Sequence, residues 1–234
     1  MDAVAICAET TARWHAAWLS ALGLRSEWSD RVWRALDPAP FIYWTAITLA
    51  PEATDADVRD AHRTICDSWS ALDLEPLGLG WEERVREPWF VRQPAAFTGG
   101  EAPPELEVVR VAAPADVAEF ELVSARGFGG EDATVEVPFH PPSILADPRM
   151  VMLTGRVAGD PVAAAMSYRT HAAVGIYGVA TVASARGRGY ATALTRALID
   201  PDLPALLSPS PEAERLYGRL GFERVGELRQ WHRP

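Results

Sequence analysis

Arg186-Gly187-Arg188-Gly189-Tyr190-Ala191 stands between an almost wholly apolar run, Ala173–Val182, and an amphipathic run, Tyr190–Ile199. The first run predicts a central buried strand, and the second predicts a helix. Two glycines let the backbone turn sharply between them, because no Cβ stands in the way. The first amide groups of the helix have no partner inside it and lie at the positive end of its dipole. The turn therefore suits a diphosphate, to which its two arginines would add charge and hydrogen-bond donors.

Other phosphate-binding loops fit this sequence less well. All 22 basic residues are arginine, so neither a Gly-x-x-x-x-Gly-Lys loop nor a lysine Schiff base can exist here. The dinucleotide fingerprint Gly-x-Gly-x-x-Gly is also missing, because Gly187 and Gly189 are followed by Thr192 where the third glycine would stand. A glycine-rich turn from strand to helix is a weak signal alone, so a second motif is needed.

The second motif follows on the next predicted elements. Leu216-Tyr217-Gly218-Arg219-Leu220-Gly221-Phe222 stands after a short apolar run, Pro204–Leu207. Together, Arg186-x-x-Gly189-x-Ala191 and this segment resemble two motifs of the GCN5-related N-acetyltransferases (the GNAT superfamily): the acetyl-CoA pyrophosphate signature and the Leu-Tyr-x-x-Leu-Gly-Phe segment. The resemblance covers about residues 106–234. It implies an α+β fold in which helices flank a mixed, mostly antiparallel sheet with two splayed strands.

The resemblance also implies a set of acetyl-CoA contacts. In this superfamily the pantetheine arm enters the gap between the splayed strands and pairs with main-chain groups of the first strand. Carried over, the pantetheine strand end is Val179, Ala180, Thr181 and Val182, and the diphosphate turn is Arg186, Gly187, Arg188, Gly189, Tyr190, Ala191 and Thr192. Ser210 matches a small polar position that the family often uses against the cofactor arm. Acetyl-CoA is a co-substrate in this scheme, and no metal is implied.

Tyr217 matches the family's tyrosine near the thioester sulfur, where it can protonate the departing thiolate. The implied reaction is direct attack of an amine on the thioester in a ternary complex, with a main-chain N–H stabilising the oxyanion. Many members place a glutamate on or near the central strand to take the amine's proton, but Ala173–Val182 contains no acid. The nearest candidates by position lie in the long loop Gly127–Pro148 and are Glu131, Asp132, Glu136 and His140. Bulk water is the alternative base.

Each of these interpretations has a plainer alternative. The two turn arginines could be solvated side chains, and Tyr217 could be a packing residue of an amphipathic helix. Ser210 is predicted as the N-cap of a helix over 211–220, with Pro211 at its first position and Gly221 just past its end. Any contact of Ser210 with the cofactor would then be secondary to capping.

The Gly- and Pro-rich segment Phe97–Glu105 predicts a domain boundary. It separates a smaller α/β domain, residues 1–100, from the acetyltransferase-like domain, residues 106–234. The first domain has no Arg/Gln-x-x-Gly-x-Gly/Ala motif, so we expect no diphosphate site in it. Its order of a strand, a helix and Pro88–Arg92 faintly resembles a degenerate GNAT half, which would wall the acceptor cleft.

Periodicity and turn residues predict the remaining elements. In the first domain they are a helix over 3–22, a buried strand Phe41–Leu49, a second helix, and a strand Pro88–Arg92. The second helix follows a Thr54–Asp57 capping box and carries on one face Val58, Ala61, Ile65, Trp69 and Leu72. In the second domain they are a strand Leu106–Val111, a helix from Pro114, strands Met150–Val157, Val162–Tyr168 and Pro204–Leu207, and a final strand or hairpin in Phe222–Trp231.

Composition and charge narrow the class of partner. The 234 residues are 48% hydrophobic and 23% charged, as in a soluble globular protein. The net charge is −10, and residues 1–105 hold 9 arginines against 17 acidic residues, which argues against nucleic acid and favours a cationic acceptor. No apolar run reaches the roughly 20 residues of a membrane span, so no membrane partner is expected.

Asp2 stands where a signal peptide needs a basic residue, and Cys7 and Cys66 are too few for a disulfide framework, so we expect a cytoplasmic protein with reduced thiols.

We therefore expect an acetyl-CoA-dependent N-acyltransferase that acts on a small-molecule or peptide amine. The missing strand acid leaves open a non-catalytic acyl-CoA-binding sensor or regulatory module, and also an interaction protein that kept only the fold. The acceptor is not readable from the sequence, because substrate recognition in such a fold lies on its loops. A homodimer is expected only because it is the commonest oligomer of soluble proteins.

Overall fold

The computed structural model of the protein describes residues 2–95 and 101–234. The helices are α1 (Ala3–Ala21), α2 (Asp55–Val58), α3 (Pro114–Gly129), α4 (Tyr190–Leu198) and α5 (Glu214–Arg219). The strands are β1 (Ser26–Trp28), β2 (Val32–Ala35), β3 (Ala46–Thr48), β4 (Thr64–Asp67), β5 (Glu82–Arg92), β6 (Leu106–Arg110), β7 (Met150–Val157), β8 (Asp160–Arg169), β9 (Val174–Thr181), β10 (Ala205–Leu207) and β11 (Glu223–His232). The chain divides into two compact units: unit 1 is Met1–Arg92 with Leu206–Pro234, and unit 2 is Gln93–Ala205.

Unit 1 holds a mixed sheet in the strand order β1-β2-β3-β4-β11-β5. Neighbouring strands are antiparallel except β3 and β4, which run parallel with Ile47 opposite Cys66. β11 lies between two strands that precede it by more than half of the chain, and Arg229 is opposite Asp67 on β4 and opposite Arg86 on β5. This insertion is the reason that residues 206–234 belong to unit 1.

α1 packs on β5 and β11 in unit 1. The helix begins after Asp2, whose carboxylate accepts a hydrogen bond from the Val4 N–H at 3.2 Å. Its inner side is closely packed, since Trp18 and Leu19 are fully buried. A Cβ on Gly226 of β11 would lie 2.6 Å from Val4 Cγ2, so only glycine allows this approach of helix and strand. Among the described residues, no helix combines the length and apolar character needed to cross a bilayer.

The capping box predicted at Thr54 forms, but the helix behind it is short. The Thr54 N–H and hydroxyl both donate to the Asp57 carboxylate at 2.8 Å, and these bonds hold the pKa of Asp57 below its usual range. α2 ends at Val58, and Thr64–Asp67 forms β4, so the predicted helix that carried Ile65 on its inner face is wrong. Ile65 and its two following residues are all buried, because β4 has a strand on each side. Such a continuous buried run fits a strand as well as it fits one helical face.

The predicted strand Phe41–Leu49 is also shorter than expected, because only β3 is extended and paired. The Tyr43 N–H donates to the Pro40 carbonyl at 3.0 Å, which closes a turn before the strand. Phe41 is 61% exposed in this turn.

Unit 2 is built on an antiparallel meander in the order β9-β8-β7-β6. α3 and α4 lie on opposite faces of this sheet. A Cβ on Gly127 of α3 would meet Ala180, whereas a Cβ on Gly155 would meet Leu194 of α4, and the ladder places Ala180 and Gly155 on opposite sides. The predicted helices from Pro114 and Tyr190 and the predicted strands of this meander are confirmed.

The last helix begins later than predicted. Residues 211–213 form a turn in which the Ala213 N–H donates to the Ser210 carbonyl at 2.9 Å, and α5 starts only at Glu214. Ser210 is therefore not an N-cap, and Pro211 is not at the first helical position. The first bonds are of the i to i+3 type, which gives a tighter turn than an α-helix. The predicted end is confirmed, because Gly221 follows the helix with a φ of +83°.

The contacts between residues divide the chain at positions that differ from the domain boundary predicted from the sequence. The first unit ends at Arg92 and also includes Leu206–Pro234. The predicted boundary segment Phe97–Glu105 lies partly outside the described residues, which omit 96–100. The assignment of residues 1–100 and 106–234 as separate domains stays a prediction.

His15 is a buried base in the aromatic part of unit 1. Its ring stacks on Trp44 with centroids 5.0 Å apart and meets Trp14 edge-on at 4.6 Å. Burial lowers the pKa of His15 to about 4, although a hydrogen bond between Nδ1 and the Thr11 carbonyl at 3.0 Å opposes the shift. The imidazole is therefore neutral in the folded protein at neutral pH.

This burial predicts a loss of stability in mild acid. Between pH 6.5, the ordinary pKa, and about 4 the unfolded chain binds a proton at His15 that the folded chain does not, so the free energy of unfolding falls as pH falls through this window. We expect His15 to account for up to about 3 kcal/mol of this fall. Urea unfolding followed by tryptophan fluorescence at several pH values measures it. His15→Phe should flatten the slope in this window and His62→Asn, at an exposed position, should not; an unchanged slope in His15→Phe contradicts the assignment.

Candidate cofactor-binding site

β9 carries a bulge immediately before the residues predicted to meet the pantetheine arm. Ala164 of β8 is opposite Ala180, but Met166 is opposite Tyr177, so β9 holds one residue more than its partner over this stretch. Gly178 lies in the bulge with a φ of +59°, where a Cβ would be 2.9 Å from Met166 Cε. A bulge increases the local twist and interrupts ladder pairing. Beyond the bulge, Ala180 and Thr181 pair again with Ala164 and Ala163 of β8, so the strand end keeps its ladder on this side. The assignment of Val179–Val182 to the pantetheine arm stays a prediction.

The turn between β9 and α4 is exposed and depends on two glycines. A 3-10 turn, Ala183–Ala185, ends β9, and Arg186–Gly189 are exposed. Gly187 and Gly189 have φ values of +78° and +85°, in the left-handed region that glycine adopts without strain. Gly189 is the N-cap of α4, and among the described residues no side chain caps this helix. The first amide groups of α4 are thus available to an anion.

α4 is held in place by its buried side. Tyr190 is 1% exposed, and its hydroxyl donates to Glu105 Oε1 at 2.9 Å. A bond from its own amide, this bond and the charge of Arg188 hold the pKa of Glu105 below its usual range. Leu194 and Leu198 continue the buried side of the helix. The N-terminus of the helix is fixed because its first residue is fixed.

Arg186 ties the turn to its two neighbours. Its Nη2 donates to the Gly127 carbonyl at 2.7 Å, and its Nε donates to the Thr181 carbonyl at 3.2 Å. The guanidinium therefore bonds the end of α3 and the end of β9. Arg188 is exposed and makes no comparable backbone contact among the described residues. Of the two arginines predicted at the diphosphate, the structure gives Arg186 a positioning role and leaves Arg188 on the surface.

Two contacts hold the long loop after α3, one with Ser184 before the glycine turn and one with Glu121 of α3. The Ser184 N–H donates to Glu131 Oε1 at 2.7 Å, and hydrogen bonds from Ser184 hold the pKa of Glu131 below its usual range. His140 is buried, with Nδ1 3.3 Å from Glu121 Oε1. Of the four acid–base candidates in the loop, these two are engaged in holding it, whereas Asp132 and Glu136 are exposed. The role of any of the four as the base stays a prediction.

Glu121 is a residue that sequence reasoning missed. It lies on the buried side of α3 and accepts hydrogen bonds from the backbone N–H groups of Phe139 and His140. Burial raises the pKa of Glu121, but the bonds from His140 and Phe139 outweigh this and leave it below the usual range. The signal in the sequence is a charged residue next to Phe120 on an otherwise apolar helix face.

A cavity of about 350 Å³ opens beside the glycine turn within unit 2. Its lining includes Glu101 and Pro103 from the segment before β6, and Gly189, Thr192 and Arg196 from α4. The volume is at the small end of the range for small-molecule sites. Gly189 belongs both to the glycine turn and to the cavity lining, so the cavity lies next to the exposed amide groups of the turn.

Ser210 and Tyr217 belong to unit 1, whereas residues 179–192 belong to unit 2. Tyr217 is 6% exposed, and its ring meets Phe222 edge-on at 5.7 Å. The Ser210 side chain bonds Glu212 and, after that residue's own backbone bond, helps to hold the pKa of Glu212 below its usual range. The assignments of both residues to an acyl-CoA site stay predictions.

Glu87 on β5 is a second acid that the sequence did not single out. It is half-buried and accepts hydrogen bonds from Gln230 Nε2 at 3.0 Å and Ser208 Oγ at 3.3 Å. Burial raises the pKa of Glu87 in spite of these bonds. A carboxyl with a raised pKa is the type of group that serves as a general base near neutral pH. Its neighbours come from distant parts of the chain, which is why spacing did not reveal it.

The chain is similar to solved structures over nearly its whole length. A GCN5-related N-acetyltransferase from Kribbella flavida is 20% identical, with a TM-score of 0.62 over 96% of this chain and 95% of that one. A GCN5-related N-acetyltransferase-like protein from Streptococcus suis is 16% identical, with a TM-score of 0.55 over 96% and 98%. A functionally unknown conserved protein from Staphylococcus epidermidis is 13% identical, with a TM-score of 0.57 over 88% and 91%. No family model matches the sequence, and no curated protein matches it.

At these identities the likeness shows the fold. The chain has a GNAT-like mixed α+β fold with a large mixed sheet, which confirms the predicted fold class at this level. The likeness extends over most of the chain and is not confined to residues 106–234. A separate smaller first domain and a degenerate GNAT-like first half stay predictions.

The close approach of α3 to β9 gives a stability prediction. A Cβ on Gly127 would lie 2.7 Å from Ala180 Cβ and 3.1 Å from the Thr181 nitrogen, so Gly127→Ala should lower the free energy of unfolding by about 1–3 kcal/mol. Gly129→Ala is the matched control in the same helical turn, where the nearest atom is 3.4 Å away, and it should change stability by no more than about 1 kcal/mol. Urea unfolding measures both variants. Equal stability of the two variants contradicts the close packing.

Proposed function

We propose that the protein is an acetyl-CoA-dependent N-acyltransferase. The observation that carries the proposal is the bulged strand β9 followed by an exposed turn, in which Gly187 and Gly189 leave the first amide groups of α4 uncapped. A doubly charged diphosphate is the ligand that such a helix N-terminus suits best. The likeness to solved structures named as GCN5-related N-acetyltransferases supports the same class.

In this proposal the cofactor follows β9 into the turn. Main-chain groups of Val179–Val182 pair with the pantetheine amides, as an added strand would. The amides of residues 187–192 hold the diphosphate, and Arg188 adds charge at the rim. Arg186 keeps the turn in place through its bonds to Gly127 and Thr181. The cavity lined by Pro103, Thr192 and Arg196 takes the nucleotide end of the cofactor.

The chemical step is attack of a neutral amine on the thioester carbonyl carbon. A carbon–nitrogen bond forms, the carbon–sulfur bond breaks, and Tyr217 gives its proton to the departing thiolate sulfur. The proton lost by the amine goes to a base outside β9, because that strand has no acid. The acids of the loop after α3 and water are the candidates for this base.

The acceptor in this proposal is an amine on a small molecule or a peptide. Residues 1–105 hold 9 arginines against 17 acidic residues, which favours encounter with a cation. The same charge disfavours nucleic acid as a partner. The long loop after α3 would contribute to acceptor choice, because Glu131 in this loop is bonded to Ser184, next to the glycine turn.

A second candidate function is binding of acyl-CoA without catalysis, as a sensor or regulatory module. The absence of an acid from the sequence of β9 favours it. Acetyl-CoA that binds but is not consumed across a broad panel of amines would support this alternative over the transferase.

The diphosphate assignment is tested by a bulky residue at Gly189. Gly189→Val should abolish binding of coenzyme A measured by calorimetry, because the side chain forces the turn away from its φ of +85° and fills the space before the amides. Gly159→Val is the matched control: Gly159 also has a positive φ, +89°, but lies in the β7–β8 hairpin. Retained binding in Gly189→Val, or equal loss in both variants, contradicts the assignment.

The acid role of Tyr217 is tested by removing one oxygen atom. Tyr217→Phe should lower kcat by roughly tenfold to a thousandfold, the range for loss of a general acid, while the affinity for coenzyme A stays the same. Thiol release from acetyl-CoA with an amine library measures turnover. Unchanged turnover removes Tyr217 from the mechanism.

A further inference from the structure

The bulge in β9 has the side chain of Met166 on the side of the sheet that α3 covers. Ala164 of β8 is opposite Ala180, and a Cβ on Gly127 of α3 would lie 2.7 Å from Ala180 Cβ, so Ala164 and Ala180 face α3. Side chains two residues apart on one strand share a face, so Met166 of β8 also faces α3. Met166 is 4% exposed, and its thioether side chain is enclosed between the sheet and the helix.

The terminal methyl group of Met166 fills the space next to Gly178. A Cβ on Gly178 would be 2.9 Å from Met166 Cε, and, its chain neighbours aside, no other heavy atom of the described residues lies within 4 Å of that position. The contrast is with Gly127, where a Cβ would also meet the Thr181 backbone nitrogen at 3.1 Å. The space beside the bulge is therefore closed by the end of one flexible, unbranched side chain and not by backbone.

Tyr177, the residue before the bulge, leaves this space to Met166. Tyr177 is opposite Met166 in the β8–β9 ladder, so the two side chains start on the same face. A Cβ on Gly175 would collide with the hydroxyl and the ring of Tyr177. The tyrosine side chain therefore lies back along β9 over Gly175, away from Gly178.

The proposed function brings the acyl group to the bulge, and the next step rests on that function. With the diphosphate on residues 187–192, the pantetheine arm runs back along the strand from Val182 to Val179. Four residues of a strand cover about 13 Å. An arm that pairs with these residues ends next to Gly178, so the acyl group leaves the strand where Met166 Cε fills the space.

We propose that Met166 closes the end of the acyl site and restricts the donor to acetyl-CoA against thioesters with longer acyl chains. The acetyl methyl group packs against Met166 Cε. A longer chain has to displace this side chain towards Met152, which is opposite Met166 on β7 and 1% exposed. Extra atoms in such a closely packed layer are unfavourable. The apolar surroundings also disfavour an acyl chain that ends in a carboxylate, because its charge would lose water without gaining a partner.

The test is calorimetric titration of the full chain with coenzyme A, acetyl-CoA and butyryl-CoA. The parent should bind butyryl-CoA at least about tenfold more weakly than acetyl-CoA, the scale of discrimination by a close-fitting apolar pocket. In Met166→Ala this ratio should fall below about threefold, because removal of the thioether leaves room for the longer chain. Coenzyme A carries no acyl group, so its affinity should be the same in both proteins. Met166→Leu keeps the buried volume and so the fold, but its side chain is one bond shorter, and the ratio should fall here too.

Met150→Ala is the matched control. Met150 is also 4% exposed, but it lies on β7 opposite Tyr168, so the same truncation should leave the ratio of the parent unchanged. Equal binding of acetyl-CoA and butyryl-CoA by the parent, or the parent's ratio in both Met166 variants, would overturn the role of Met166 while binding of coenzyme A supports the proposed function. An equal fall of the ratio in Met150→Ala would also overturn it. A parent that binds no coenzyme A would overturn the proposed function, and this inference with it.

Discussion

The uncapped start of α4 is the feature on which the functional interpretation depends. Most helices satisfy some of their first amide groups with a serine, threonine or aspartate side chain. Here the N-cap is Gly189 in the left-handed region, and no described side chain takes that role. The residues around it are fixed: Tyr190 is bonded to Glu105, and Arg186 to the ends of α3 and β9. A rigid frame thus surrounds groups that have no protein partner, which is how a binding site differs from a frayed helix end.

The parts predicted correctly from the sequence are those in which local chemistry decides the structure. The order strand, Gly-rich turn, helix at residues 173–199 is such a case, because periodicity, glycine and the stop at Asp200-Pro201 all agree. The end of α5 at Gly221 is another. The failures are at positions where a distant partner decides. Ile65 has the spacing of a helix face together with Val58, Ala61, Trp69 and Leu72, but Thr64–Asp67 forms a strand with a neighbouring strand on each side.

The same reasoning explains which site residues the sequence could supply. The glycine turn is contiguous, so it can be recognised in one segment. Glu121 and Glu87 have their roles only because residues from another part of the chain donate hydrogen bonds to them. Such contacts can be identified only when the three-dimensional arrangement of the elements is known.

The position of β11 has a consequence for how the protein is made. This strand completes the unit 1 sheet between β4 and β5, but it is synthesised only after all of unit 2. A ribosome-bound chain that has released residues 1–92 therefore exposes the facing edges of β4 and β5, and such edges readily pair with other chains. Unit 2 is contiguous and can close its meander earlier. During translation the later unit has a complete ladder first, and the beginning of the chain must remain shielded until residues 223–232 arrive.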